Sequence, residues 1–114
     1  MTTGGAVNSR GAVTEQLAVV IPMLNEAPGV EATLRALARQ RDTDFAVVVV
    51  DNGSTDGSAE VVGSFIERHA LTTWRVIAEP QKGTGAAADT GFRAAIEAGA
   101  SIVARTDADC LPRP

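Results

Sequence analysis

The six residues Phe45-Ala46-Val47-Val48-Val49-Val50 constrain the fold of this chain more than any other feature. Successive side chains of a strand point to opposite faces, so a strand with one wet face alternates apolar and polar residues. This run does not alternate. It is apolar throughout and ends in four β-branched residues, which suits a strand covered on both faces. Such strands belong to parallel sheets, whose crossover helices supply the covering layers.

Three further apolar runs fit the same plan. Leu17–Ile21 is expected to stop at Pro22, Trp74–Ala78 is followed by Pro80, and Ser101–Thr106 runs into Asp107. The segments between the four runs have helical spacing. Pro28 suits a first helical turn, with Val30, Leu34 and Leu37 on one face. Asp56 is the expected N-cap of a second helix that carries Val61, Val62, Phe65 and Ile66 and ends near His69. A third opens near Thr84, places Ala88, Phe92, Ala95 and Ile96 on its apolar face, and ends at Gly99. A β-α-β-α-β-α-β order implies right-handed crossovers and a three-layer α/β/α fold, Rossmann-like, with a mostly parallel sheet. No internal repeat or linker divides it. Residues 1–16, rich in Gly, Thr, Ser and Asn, are expected to be a disordered leader.

Composition matters mainly for what it excludes. With 45% hydrophobic and 21% charged residues the chain has an ordinary globular balance. The net charge of -4 gives no electrostatic footprint for nucleic acid or an anionic membrane, so an anionic ligand must be held by local devices. The one cysteine, Cys110, cannot form an intrachain disulfide, which fits a reducing compartment. The apolar stretches Leu17–Leu24 and Phe45–Val50 fall far short of the ~20 residues of a membrane-spanning helix. The expected location is cytoplasmic, with membrane association of a longer form left open.

In open α/β sheets, ligands bind outside the carboxyl ends of the strands. Here the polar clusters follow those ends: Asn25-Glu26, Asp51-Asn52-Gly53-Ser54, Gln81-Lys82-Gly83 and Asp107-Ala108-Asp109. Two carboxylates one residue apart at a strand end can share a divalent ion whose other ligands are phosphates and water. Mg²⁺ and Mn²⁺ favour that arrangement. The alternative for Asp107 and Asp109 is a solvated acidic turn. Asp51 can accept hydrogen bonds from a nucleobase edge or close an Asx turn. Asn25 and Glu26 can contact a ligand or simply open a helix. Lys82 can meet a phosphate at a helix N-terminus or stand exposed in a loop. Asn52, Gly53 and Ser54 are expected to shape their loop. Gly83-Thr84-Gly85-Ala86-Ala87-Ala88 fits a loose G-x-G-x-x-A, but it follows the third strand, where small residues serve close helix packing. His69 is expected to be a solvated residue of the last helical turn. Arg105 could pair with Asp51 or Glu79, or face solvent on an edge strand.

The segments Val20-Ile21-Pro22-Met23-Leu24-Asn25-Glu26, Val50-Asp51-Asn52-Gly53-Ser54-Thr55-Asp56-Gly57-Ser58, Lys82-Gly83-Thr84-Gly85-Ala86-Ala87 and Thr106-Asp107-Ala108-Asp109 together resemble the family 2 glycosyltransferases of the GT-A fold. The resemblance covers about residues 17–114, taken as the nucleotide-sugar-binding part of the domain. It implies a strand order of 3-2-1-4, a UDP- or GDP-sugar or similar donor, and a divalent Mn²⁺ or Mg²⁺ cofactor. Pro22, Asn25 and Glu26 match the segment against the nucleoside, and Asp51 matches the aspartate that recognises the base. Asp107 matches the residue near the ribose and Asp109 the principal metal ligand of the D-x-D motif, with Asp107 beside it. Lys82 is similar to a basic residue near the base and phosphates.

The sequence departs from the family pattern at Asn52, where many members have a second Asp. Ala88 and Asp89 also replace a frequent basic residue and Asn. The catalytic base of an inverting transfer, and the acceptor site, are expected beyond Pro114. The chain is accordingly expected to be a truncated piece, inactive alone, whose uncovered face favours self-association. Two other classes compete: a non-catalytic nucleotide-binding or scaffolding module, and a sugar nucleotidyltransferase. The latter usually carries a Gly- and Arg-rich loop where Pro22–Glu26 stands here.

Overall fold

The computed structural model describes residues 6–7, 13–14, 16–40 and 45–108. Asp109, Cys110 and the residues to Pro114 lie outside them. In chain order the elements are β1 (Ala6–Val7), β2 (Val13–Thr14), β3 (Leu17–Met23), α1 (Ala27–Ala38), β4 (Ala46–Asp51), α2 (Ser58–Arg68), β5 (Trp74–Ala78), α3 (Thr84–Glu97) and β6 (Ile102–Arg105). Inside the expected leader, β1 and β2 form a short antiparallel ladder. Gln16 then joins the main body: its carbonyl accepts the N–H groups of Ser101 and Ile102.

The four long strands form one parallel sheet in the order β5-β4-β3-β6, which is 3-2-1-4 of the four runs expected. The valine run of β4 lies inside the sheet, and Val47, Val49 and Val50 are fully buried. On one face Val19, Ile21, Val47 and Val49 meet Val30, Leu34 and Leu37 of α1 and Val62 and Phe65 of α2, with Trp74 beside them. On the other face Val20, Val48 and Val50 meet Ala87 and Ala95 of α3. The faces differ in depth. α3 lies so close that a Cβ on Gly91 would fall 2.3 Å from Val20 Cγ1 and 2.9 Å from Val50 Cγ2. Only glycine fits there without displacement.

The chain winds from β3 through β4 to β5 in one direction, then returns past β3 to β6. With right-handed crossovers, this reversal puts α3 on the face opposite α1 and α2. It also creates the topological switch point, between β3 and β6, where open α/β sheets bind ligands.

Three local details differ from expectation. Pro22 does not stop β3; it pairs with Val50 inside the strand. The Met23 carbonyl accepts the Asn52 N–H on the β4 side, so by alternation the ring nitrogen of Pro22 faces β6. On that side pairing ends at Val20↔Arg105, and the final bond is Thr106 N–H to the Val20 carbonyl. The next donor would be the N–H that proline lacks. The ladder therefore ends where β6 must release the segment carrying Asp107. The cap of α2 is Gly57, at φ 86°, and not Asp56, which sits one residue outside the helix. Ile96, expected on the buried face of α3, is 61% exposed: the helix meets the sheet along the Ala87–Gly91–Ala95 stripe, with Ala88 buried and Phe92 and Ala94 packed beside it, and Ile96 falls outside that face.

Candidate functional site

Because the sheet is parallel, all four strands end at one rim. Asp51 closes β4 opposite Met23. Asp107 lies two residues beyond Arg105, which pairs with Val20, so it reaches the level of Pro22 on the other side of β3. The rim thus brings together the loops that carry Asn25 and Glu26, Asp51, Lys82, and Asp107.

The loop after β3 and the loop after β4 are tied by a series of hydrogen bonds. Asn25 N–H donates to Ser54 Oγ (2.8 Å), and Asn25 Oδ1 accepts Thr55 N–H (2.8 Å). Asn25 has φ +53°, a left-handed conformation that asparagine tolerates better than most residues. Glu26 N–H donates to the Oγ of buried Ser58 (2.9 Å), whose hydroxyl donates to Asp56 Oδ1. Asp56 Oδ2 accepts Ala27 N–H (3.1 Å). The first amides of α1 are therefore capped by side chains about thirty positions away, and Glu26 makes no side-chain cap itself. The Ser58 hydroxyl and the N–H groups of Ala27 and Ser58 hold the Asp56 carboxyl below the usual carboxylate range.

Asp51 is half-buried, and its Oδ1 accepts the N–H of Ser54, three residues on, in a long contact of 3.4 Å. Its neighbour Asn52 is buried and fastens the segment after β5. Asn52 Nδ2 donates to the carbonyls of Glu79 (2.9 Å) and Gln81 (2.8 Å), and Asn52 Oδ1 accepts Gly83 N–H (3.0 Å). Lys82, exposed, sits between two of these anchors. Glu79 accepts the Thr90 hydroxyl of α3 and, within its own segment, Gln81 N–H (2.8 Å). Those bonds, Thr90 first, hold its carboxyl low. Glu79 is thus not the partner of Arg105, which is exposed on edge strand β6. The ion pairs among the described residues are Glu31–Arg35, Glu31–Arg68 and Asp89–Arg93. His69 is exposed at the end of α2, against the Phe65 ring.

The Asp107 side is held differently. Ala108 is buried in the core on the α1 face, and its carbonyl accepts the hydroxyl of fully buried Thr33 on α1 (2.7 Å). Asp107 itself is exposed. Thr33 escaped the sequence argument, although a signal was present: a polar residue shares the face of Val30, Leu34 and Leu37. No group of three or more His, Cys, Asp or Glu side chains suited to a metal occurs among the described residues. The donor set still fits a Mg²⁺- or Mn²⁺-type ion. One exposed carboxylate at the switch point, with Asp109 adjoining in sequence, leaves most ligand positions to phosphate and water.

Residues 18–114 match the model of the family described as glycosyl transferase family 2. The chain belongs to that family. Among the relatives, the glycosyltransferase AglE of Haloferax volcanii is 34% identical over 98 residues, 84% of this chain and 31% of its own length. The mannosyltransferase PcManGT from Pyrobaculum calidifontis, in complex with GDP-Man and Mn²⁺, superposes with a TM-score of 0.78. It is 33% identical and matches 87% of this chain and 29% of its own. S. aureus TarS 1–349 in complex with UDP gives a TM-score of 0.66 at 25% identity, over 82% of this chain and 27% of its own. The family 2 chain described here thus spans about a third of the length of these relatives. Its α/β sheet, in the order expected of a GT-A glycosyltransferase, is that of these neighbours. No helix among the described residues is long and apolar enough to cross a membrane.

Proposed function

We propose that this chain binds the donor of a metal-dependent glycosyl transfer, a UDP- or GDP-sugar, at the rim shared by β3, β4, β5 and β6. The observation that carries the proposal is the placement of Asp51 and Asp107 on one rim, on either side of β3 at the switch point. Asp51 accepts from the nucleobase, and its long bond to Ser54 leaves acceptor capacity for that role. Pro22, Asn25 and Glu26 form the wall against the nucleoside, stiffened by Ser54, Thr55, Asp56 and Ser58. Lys82 and the N-terminal end of α3 face the diphosphate charge. Asp107 and Asp109 hold Mn²⁺ or Mg²⁺, which offsets the diphosphate charge and stabilises it as a leaving group. Of the structural neighbours cited, PcManGT holds GDP-Man and Mn²⁺ and TarS 1–349 holds UDP, which supports this reading.

Calorimetric titration of UDP and GDP, with and without Mn²⁺, tests this reading. Binding of at least one nucleotide that strengthens with Mn²⁺, and loses that dependence in Asp109→Ala, is the expected result. A folded sample that binds neither nucleotide in the presence of Mn²⁺ contradicts it.

A further inference from the structure

Asn52 is buried, and its carboxamide is used almost to capacity. Both Nδ2 protons go to backbone carbonyls, of Glu79 and Gln81, and Oδ1 accepts the Gly83 N–H. These partners determine which end of the amide is which, because the reverse orientation would set an oxygen against two carbonyl oxygens. The residue's own N–H is held by the Met23 carbonyl of β3. One side chain thus ties the central strands to three successive anchor points on the segment 79–83. Lys82 lies between two of the anchors, and α3 starts immediately after the third. The start of the segment is also fastened by Glu79 N–H to the Asp51 carbonyl, by the Thr90 hydroxyl to Glu79 and by Gln81 N–H to Glu79, so past Gln81 the Asn52 bond to Gly83 is the side-chain anchor.

We propose that Asn52 is a positioning residue for donor binding: its amide sets the segment that presents Lys82 to the diphosphate. The proposal rests on the donor-binding reading above. It gives chemical meaning to the amide. An aspartate has nearly the same shape but, when ionised, only accepts hydrogen bonds. At this position an aspartate, which many family members carry, would need N–H donors where the Glu79 and Gln81 carbonyls stand here, while Gly83 N–H would still find an acceptor.

Asn52→Ala is therefore the informative variant, because it removes all three side-chain bonds, with Asn52→Asp as its charged companion. Circular dichroism and thermal melting report whether each folds, and UDP and GDP affinity with Mn²⁺ is measured for each, alone and combined with Lys82→Ala. Asn52→Ala should weaken nucleotide binding by roughly tenfold or more, the scale of losing hydrogen bonds that orient a charged group. In the Lys82→Ala background most of that loss should disappear, because the residue acts through the segment that carries Lys82. Hydrogen exchange should quicken at Gly83 N–H in Asn52→Ala, while the β4 amides Val47–Val50 stay protected. If wild-type protein binds nucleotide and the folded variants bind it equally well, the Asn52 proposal fails and the donor reading stands. An equal loss with and without Lys82 also overturns it, since that marks a general structural effect. Should Asn52→Asp not fold, Asn52→Ala and its exchange pattern decide the question. If wild-type protein binds no nucleotide, both proposals fall.

Discussion

The two sides of the rim are built by different means. On the side of β4 and β5 the loops are sewn together by many side-chain hydrogen bonds: Asn25 to Ser54 and Thr55, Ser58 and Asp56 to the start of α1, Asn52 to the segment 79–83. On the side of β6 the ladder ends early at Pro22. Among the described residues, the segment after β6 is then held by the Thr106–Val20 bond, the buried Ala108 side chain and the Thr33 hydroxyl. A nucleoside presents a fixed shape and pattern of donors and acceptors, which a preorganised wall can match at low entropic cost. A cation that takes phosphate and water as ligands needs only a carboxylate or two within reach. The difference suits one side to recognition and the other to charge.

Four perturbations break or sharpen that contrast. The largest acts on both sides at once. Gly91→Ala pushes a methyl group into Val20 and Val50 and moves α3 off the sheet. It should cost on the order of 3 kcal/mol, read by denaturant unfolding, and weaken nucleotide binding with and without metal. Thr33→Val should act on the β6 side alone. Loss of the hydroxyl removes its buried bond to the Ala108 carbonyl, at about 2 kcal/mol, and Mn²⁺-dependent binding should weaken more than metal-free binding. Asn25→Ala should act on the opposite side, costing about 1 to 2 kcal/mol through left-handed strain and the lost Thr55 bond. Asn25→Gly should cost less, because it removes the bond and not the conformation. If metal and nucleotide dependence respond alike in Thr33→Val and Asn25→Ala, the division of the rim is wrong.

The smallest effect is with acid. Asp56 and Glu79 have carboxyls held below their ordinary values, so they bind fewer protons folded than unfolded. Their contribution is present above the unfolded-state values, near pH 4, and is lost as pH falls through the lower folded-state values. Both lie on the β4–β5 side. Acid titration followed by exchange at Ala27 and Gln81 N–H should therefore loosen that side first, and Asp56→Asn should flatten the response at Ala27.

Much of this architecture is legible in the sequence because its causes are local. The unbroken valine run of β4 demands two covered faces, and the succession of strands and helices then fixes a parallel sheet with its polar turns on one rim. Pro22 and Asp56 show where local rules mislead. Proline signals a strand end, yet here it ends only one of two ladders, since its missing donor faces β6. Aspartate before a helix signals a cap, yet Gly57 takes the left-handed cap position, and Asp56, one residue further out, accepts the Ser58 N–H of α2 with one oxygen and the Ala27 N–H of α1 with the other. Thr33 and Asn52 depend on partners from other segments, 75 residues away for Thr33 and 27 to 31 for the side chain of Asn52. No spacing rule reveals which carbonyls will arrive there.

The central claim is that both sides of the rim face one ligand. Paramagnetic Mn²⁺ added to isotope-labelled protein tests it through amide signal broadening. Mn²⁺ broadening should be strongest at residues 106–108 and fall off with distance from them, and UDP or GDP added with diamagnetic Mg²⁺ should shift the amides of 51–54 and 81–83 in the same molecule. Nucleotide that leaves 51–54 and 81–83 unshifted, or broadening that centres on another surface, contradicts the account.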